Sequence, residues 1–212
     1  MKTFAHMIDG YRNFRAGEWH EERERWAQLA EGQSPQVMVI SCSDSRVDPA
    51  QILDVAPGEI FVVRNVAALV PPFETTPGRH GVSAAVEFAV QFLKVKEILV
   101  MGHGLCGGCQ AALTQNLHGN EIGEGGFVAH WVDMLDEARA PIAQEHGTEG
   151  REAELAMELA AVKVSLANLM TFPYVADKVE AGQLALHGGH FAISDGVLRV
   201  LDHDSGEFRS AQ

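Results

Sequence analysis

Three short apolar runs constrain this chain more than anything else in it. They are residues 36–41 (QVMVIS), 59–64 (EIFVVR) and 97–102 (EILVMG). Runs of this length, without polar alternation, predict strands buried on both faces, as in a parallel sheet. Pro57-Gly58 announces the second run. Between the second and third, residues 81–94 set Val82, Val86, Ala89, Val90 and Leu93 on one helical stripe. Strands alternating with helices predict an α/β fold, a central mostly parallel β-sheet flanked by helices.

The rest of the chain fits that frame. Residues 1–31 read as a helical arm, with Trp19 and Trp26 seven apart on one face. Such an arm either packs on its own domain or covers a partner subunit. Residues 119–126 are glycine-rich and read as a loop; 127–144 read as a helix. In 151–170, Leu155, Leu159, Val162, Leu166 and Leu169 form one apolar seam. Thr171 and Pro173 have the character of an N-cap and an early helical position. Residues 183–194 and 196–202 read as strands joined by a turn at Asp195-Gly196. No repeat or linker interrupts the 212 residues, which suit one domain: arm 1–31 and α/β core 32–212.

Composition narrows the partners. A net charge of −13 with no basic run argues against nucleic acid, whose phosphates demand a basic surface. No apolar run approaches the roughly 20 residues of a membrane span. The N-terminus lacks the apolar core of a signal peptide, so a cytoplasmic location is expected. The three cysteines, Cys42, Cys106 and Cys109, are an odd number, which makes a disulfide framework a poor reading. Metal or reactive chemistry is the better one.

Two motifs follow the first and third runs: C-S-D-S-R from Cys42 to Arg46, and H-G-L-C from His103 to Cys106. Sites in open α/β sheets form beyond the carboxyl ends of strands. If the two strands are neighbours, Cys42, His103 and Cys106 converge there. Two thiolates and an imidazole suit zinc, and three protein ligands leave a fourth position for water. Asp44 and Arg46 pair as carboxylate and guanidinium, and an ionised Asp44 can accept a hydrogen bond from that water. Cys109 makes C-G-G-C with Cys106. It reads as a buried free thiol; the alternatives are a fourth ligand or a redox pair. His118, His130, His146 and His203 read as surface or structural.

These motifs resemble those of the β-class carbonic anhydrases. The resemblance is dense over QSP (33–35), CSDSRVDP (42–49), PGEIFVVRNVAALVPP (57–72), GVSAAVEFAV (81–90) and GHGLCGG (102–108), and weaker over 187–198. It implies one zinc per chain on Cys42, His103 and Cys106, with Asp44 and Arg46 as the catalytic pair. It implies reversible hydration of carbon dioxide to bicarbonate and a proton, by water made nucleophilic on the metal. It further implies that Gln33, Phe61, Val66 and Gly104 contact substrate, Gly104 through a backbone amide. The arm would wrap on a second subunit, giving a homodimer or a dimer-based tetramer.

The departures matter. Phe88 stands where plant-like members carry tyrosine. Val39 and Phe191 replace the tryptophan and tyrosine of a bicarbonate-inhibited subset, and Arg64 alone does not rebuild that inhibitory site. The resemblance therefore favours an open site with water as fourth ligand over a closed site in which Asp44 ligates zinc. Three rivals remain: a zinc-stabilised binding module using Cys109 as fourth ligand, a thiol oxidoreductase, and a phosphate cradle at H-G-L-C-G-G. Relatives acting on carbon disulfide or carbonyl sulfide share the same ligands.

Overall fold

A computed structural model describes residues 2–117, 119 and 126–211. It divides into two compact units, Met1–Ser34 and Pro35–Gln212.

The first unit holds α1 (Phe4–Ala16), α2 (Glu18–Glu21) and α3 (Arg23–Glu31). The expected helical arm is thus three helices, broken at Gly17 and Glu22. Gly17 has a non-helical backbone (φ −103°, ψ −98°), in keeping with glycine's poor helix propensity. The breaks let the arm fold on itself, with Phe14 meeting Trp26 edge to face at 5.7 Å and Arg15 over the Trp19 ring at 3.6 Å. Trp19 and Trp26 therefore lie on different helices. Phe4, Met7 and Tyr11 form an exposed apolar stripe on α1.

The second unit is built on six strands: β1 (Val37–Cys42), β2 (Ile60–Asn65), β3 (Glu97–His103), β4 (Ala185–Ala192), β5 (Val197–Asp202) and β6 (Glu207–Ser210). Their spatial order is β2-β1-β3-β4-β5-β6. The first four are parallel; β5 and β6 add antiparallel. The order reverses between β1 and β3, with β2 on one side and β4 on the other. A reversal of this kind opens a crevice beyond the strand carboxyl ends. Cys42 ends β1 and His103 ends β3, so each apolar run extends one residue further than the sequence suggested.

The helices are α4 (Pro49–Ile52), α5 (Gly81–Glu87), α6 (Gly107–Thr114), α7 (Phe127–Val132), α8 (Asp136–His146), α9 (Arg151–Leu169) and α10 (Pro173–Glu180). The stripe expected over 81–94 continues past α5 as π-helical turns, Phe88–Leu93, and stops at left-handed Lys94. The helix expected over 127–144 is interrupted by a 3₁₀ turn at Asp133–Leu135. That tighter winding eclipses residues three apart, so Val132 and Leu135 both bury. Pro173 opens α10, but Phe172 is its N-cap. Thr171 instead accepts from the Phe73 amide and donates to the Asn168 carbonyl. No single helix among the described residues is long and apolar enough to cross a membrane.

Two apolar clusters fill the interior. One packs Met38, Ile40, Ile98 and Val100 against Val86, Val90, Val162 and Leu166. The other gathers Cys42, Cys106 and Cys109 with Leu113, Leu135 and Met157 near the strand ends. Helix α9 joins them. Its buried face runs through Ala153, Met157, Ala161 and Ser165 and takes in Val162, Leu166 and Leu169 of the expected seam, while Leu155 and Leu159 are only half-buried. Small residues face the sheet because α9 lies close to it: a Cβ on Gly102 would stand 2.8 Å from Val162 Cγ2. This proximity brings Glu158 over the end of β3.

Candidate metal centre

The switch point brings together three donors. Sγ of Cys42, Sγ of Cys106 and a ring nitrogen of His103 lie within 4.8 Å of one another, all three residues buried. Around tetrahedral zinc, with Zn–S about 2.3 Å and Zn–N about 2.0 Å, donors stand about 3.5–3.8 Å apart, so small side-chain adjustments close the set. His103 is prepared for the ion. Its Nδ1 lies 2.9 Å from the Gly104 carbonyl, which accepts from it, so Nε2 carries the free lone pair. Nε2 is buried and has no hydrogen-bond partner. A buried ring nitrogen is costly to leave unpaired, and a cation satisfies it. The thiols tell the same story. The Cys106 thiol and burial push Cys42 up to about 12; the Cys109 thiol and burial push Cys106 up to about 12. Both stay protonated until a divalent cation supplies positive charge. The residues fit zinc.

Asp44 stands beside this set, with Oδ2 4.0 Å from His103 Nε2. Its carboxylate is gripped by Arg46: the amide and Nε reach Oδ1 at 2.9 Å each, and Nη2 reaches Oδ2 at 2.7 Å. That grip holds Asp44 well below the usual carboxylate range. Arg64, from edge strand β2, braces the same loop. It donates to the carbonyls of Cys42 (2.9 Å) and Asp44 (2.7 Å), and to Asp48 (2.9 Å). Asp48 in turn caps α4 by accepting from the Ala50 amide.

Glu158, unremarked in the sequence, organises the second motif. It is only 2% exposed. Oε1 accepts from the amides of Leu105 (2.6 Å) and Cys106 (3.4 Å) and from Arg151 Nη1 (2.8 Å). Oε2 accepts from Arg151 Nη2 and His190 Nε2, each at 2.9 Å. Burial alone would push its pKa up; the His190 and Arg151 hydrogen bonds outweigh that and hold it at about 2. Leu105 sits in the left-handed region (φ 59°), which a branched residue occupies only when its surroundings hold it there. Its amide is held by Glu158, and its carbonyl accepts from Arg46 Nη2 at 3.0 Å. The Leu105 backbone thus ties the two motifs together. The sequence did contain a signal for Glu158: an acid flanked by apolar residues on the inner side of an amphipathic helix.

The remaining site residues fall differently. Val66 borders an apolar cleft of about 560 Å³ with Gly107, Gly108 and Ala111. Its neighbours Ala67 and Ala68 are left-handed (φ 63° and 56°), held by the Asn65 amide bracketing Leu69 and by Ser165 on Ala68 and Val70. Gly104 needs correction as a substrate donor: its amide is already committed to the Phe191 carbonyl at 2.9 Å, within the extended β3–β4 pairing. The amides of Gly107 and Gly108 open α6 and have no acceptor within that helix. Phe61 is not brought to the cluster of its own chain. It pairs with Met38, four residues before Cys42, roughly 13 Å along the strand. There it joins a stack with Phe88 and Phe92, ring centroids 5.7 and 5.6 Å apart. Gln33 is exposed and belongs to the first unit. Cys109 is buried but is not part of the three-donor group. His130, His146 and His203 are exposed; His118 lies outside the described residues.

Fold and donor set define a Cys₂His metalloprotein built on an open, mostly parallel α/β sheet. The carbonic anhydrase family model matches residues 37–198. The chain is 35% identical over 200 residues to beta carbonic anhydrase 5, chloroplastic, of Arabidopsis thaliana, covering 91% of this chain and 63% of that one. It is 33% identical to beta carbonic anhydrase 3 of the same plant, covering 92% and 75%. Among solved structures, the β-carbonic anhydrase CcaA superposes with a TM-score of 0.90 at 29% identity, over 98% of both chains. A tetrameric β-carbonic anhydrase structure from Sordaria macrospora superposes at 0.81 and 30% identity, over 93% and 96%. The chain belongs to the β-class carbonic anhydrases.

Proposed function

We propose that this protein catalyses the reversible hydration of carbon dioxide to bicarbonate and a proton, with one zinc ion held by Cys42, His103 and Cys106. The observation that carries the reading is a buried group of three donors beside a carboxylate already occupied by an arginine. Zinc bound there supplies the nucleophile by lowering the pKa of a water from 15.7 to about 7.

The chain's own residues do the rest. Arg46 keeps Asp44 ionised and holds both of its oxygens, which supports the open arrangement with water as fourth ligand. Asp44 Oδ2 retains lone pairs on the side of His103 and accepts a hydrogen bond there, fixing the orientation of the attacking oxygen. The apolar wall at Val66 suits a substrate with no net charge or dipole. The Gly107 or Gly108 amide replaces that of Gly104 as the donor to a substrate oxygen. Phe61 is too far along β2 for its own cluster, so we assign it, with Gln33, to the pocket of a second copy. A homodimer or a dimer-based tetramer follows. The exposed Val62, Phe88 and Phe92 at the β2 edge and the apolar stripe of the arm support it, as does the tetrameric Sordaria relative. On this reading, arm and core act as one functional domain. Three free thiols suit the reducing cytoplasm.

Stopped-flow measurement of carbon dioxide hydration across pH, with zinc content determined on the same sample, tests the proposal. Fast hydration in proportion to zinc is expected, and both are lost in Cys106→Ala. A zinc-replete protein that hydrates no faster than buffer refutes it.

A further inference from the structure

Cys109 has no part in the site as described, yet it lies against it. Cys106 caps the N-terminus of α6 and Cys109 follows in the first turn, three residues on. Both are free and buried, at 3% and 4% exposure, in the same apolar cluster. Cys-x-x-Cys at a helix start is a spacing that disulfides span. Of the two glycines between them, Gly107 faces open space, where an added Cβ would meet nothing within 4 Å, while Gly108 packs against Val66 and Ala67. Cys42 Sγ also lies within 4.8 Å of Cys106 Sγ, but Cys42 is held in β1 by pairing with Asn65 of β2 and by Arg64 on its carbonyl.

We propose that Cys106 and Cys109 are a peroxide-sensitive pair, which closes to a disulfide and releases the metal reversibly. The inference rests on Cys106 being a zinc ligand. The chemistry has two steps. The Cys106 sulfur attacks one oxygen of hydrogen peroxide: an S–O bond forms, the O–O bond breaks, and the departing hydroxide takes a proton from bulk solvent to become water. The Cys109 sulfur then attacks the Cys106 sulfenic acid: the S–S bond forms, the S–O bond breaks, and hydroxide leaves with the Cys109 proton as a second water. The two sulfurs lose two electrons and peroxide gains them. Cys106 no longer offers a thiolate, so only Cys42 and His103 remain as donors. A dithiol reductant restores both thiols by exchange.

The test treats zinc-loaded protein with hydrogen peroxide and follows zinc with a chromogenic chelator and mass by spectrometry. Release of the zinc, a mass lower by two hydrogens and a cross-link mapped between Cys106 and Cys109 are expected. Dithiothreitol with zinc should then restore the metal content. Cys109→Ser should hold as much zinc as the wild type before oxidation. After peroxide it should gain oxygen atoms at Cys106 and fail to recover under the same reduction. The proposal is overturned by wild-type protein that gains oxygens without a cross-link, by a cross-link to Cys42, or by Cys109→Ser recovering as fully as wild type. Zinc content before peroxide tests the ligand assignment separately. A wild-type protein that holds no zinc fails that assignment, and with it the release step, whatever the thiols do.

Discussion

Replacing Glu158 with glutamine keeps the side chain's shape but removes its charge and one acceptor oxygen. Glu158 is held at about 2 against an ordinary 4.5. At about 1.4 kcal/mol per decade, its ionised form contributes about 3 kcal/mol to stability. A second route agrees. Removing one partner of a buried ion pair costs about 3–5 kcal/mol, and the lower end applies where water can reach the other partner. Arg151 is that partner, with its side chain 45% exposed. For a chain of this size about 3 kcal/mol lowers the melting temperature by about 6–12 °C, read by calorimetry on zinc-loaded protein at neutral pH. Because the carboxylate's pKa is depressed, the contribution is complete above about 4.5 and is lost as the pH falls toward about 2. The gap between wild type and variant should hold from pH 7 to about 5 and narrow below that. Leu105 and Cys106 also lose part of their anchor, so zinc retention should fall by about 10- to 100-fold. A melting temperature within about 2 °C of wild type, or a gap that ignores acid, refutes the reasoning.

Three further outcomes follow from the same geometry. Asp44→Asn should keep its zinc and lose turnover by about 10²-fold or more, by stopped flow; loss of the metal instead would mean that Asp44 ligates it. Gly102→Ala places a Cβ 2.8 Å from Val162 Cγ2 and should cost about 1–3 kcal/mol in urea unfolding, mostly recovered by adding Val162→Ala. Ser165→Ala leaves the Val70 amide and Ala68 carbonyl without their partner and should cost about 1–3 kcal/mol by the same assay.

The parallel core was legible because its strands are continuous apolar runs and its ligands sit at their ends. The six residues of β1 and those of β2 were each displaced by one position, since periodicity marks an element better than its limits. Strand β6 was missed: Phe208 is its one apolar residue, and its pairing with β5 supplies the order. The seam of α9 held at Val162, Leu166 and Leu169, which are buried, but not at Leu155 and Leu159, which are half-buried, because size alone signals burial in a sequence. In the first half of the helix Ala153, Met157 and Glu158 are the buried positions instead. Of the centre, the donors and the Asp44–Arg46 pair were readable because they fall in two short motifs, each directly after an apolar run. The links of Glu158 to Leu105, Cys106 and His190 were not, because those partners lie 53, 52 and 32 residues away and only the tertiary fold introduces them. Phe61 was assigned to a pocket by resemblance, and only the strand register shows its distance from the cluster of its own chain.

The ligands' position at the switch point has a consequence for how the protein is made. His103 and Cys106 are neighbours along the chain and form a half-site as soon as that segment exists. Cys42 joins them only when β3 docks beside β1 on the side opposite β2, so the chain leaving β2 must cross β1 to bring them there. Parallel pairing over such a span is among the slower steps in folding. The metal should therefore be captured late, by a sheet already closed, and a chain stalled before that closure has two donors and little hold on zinc.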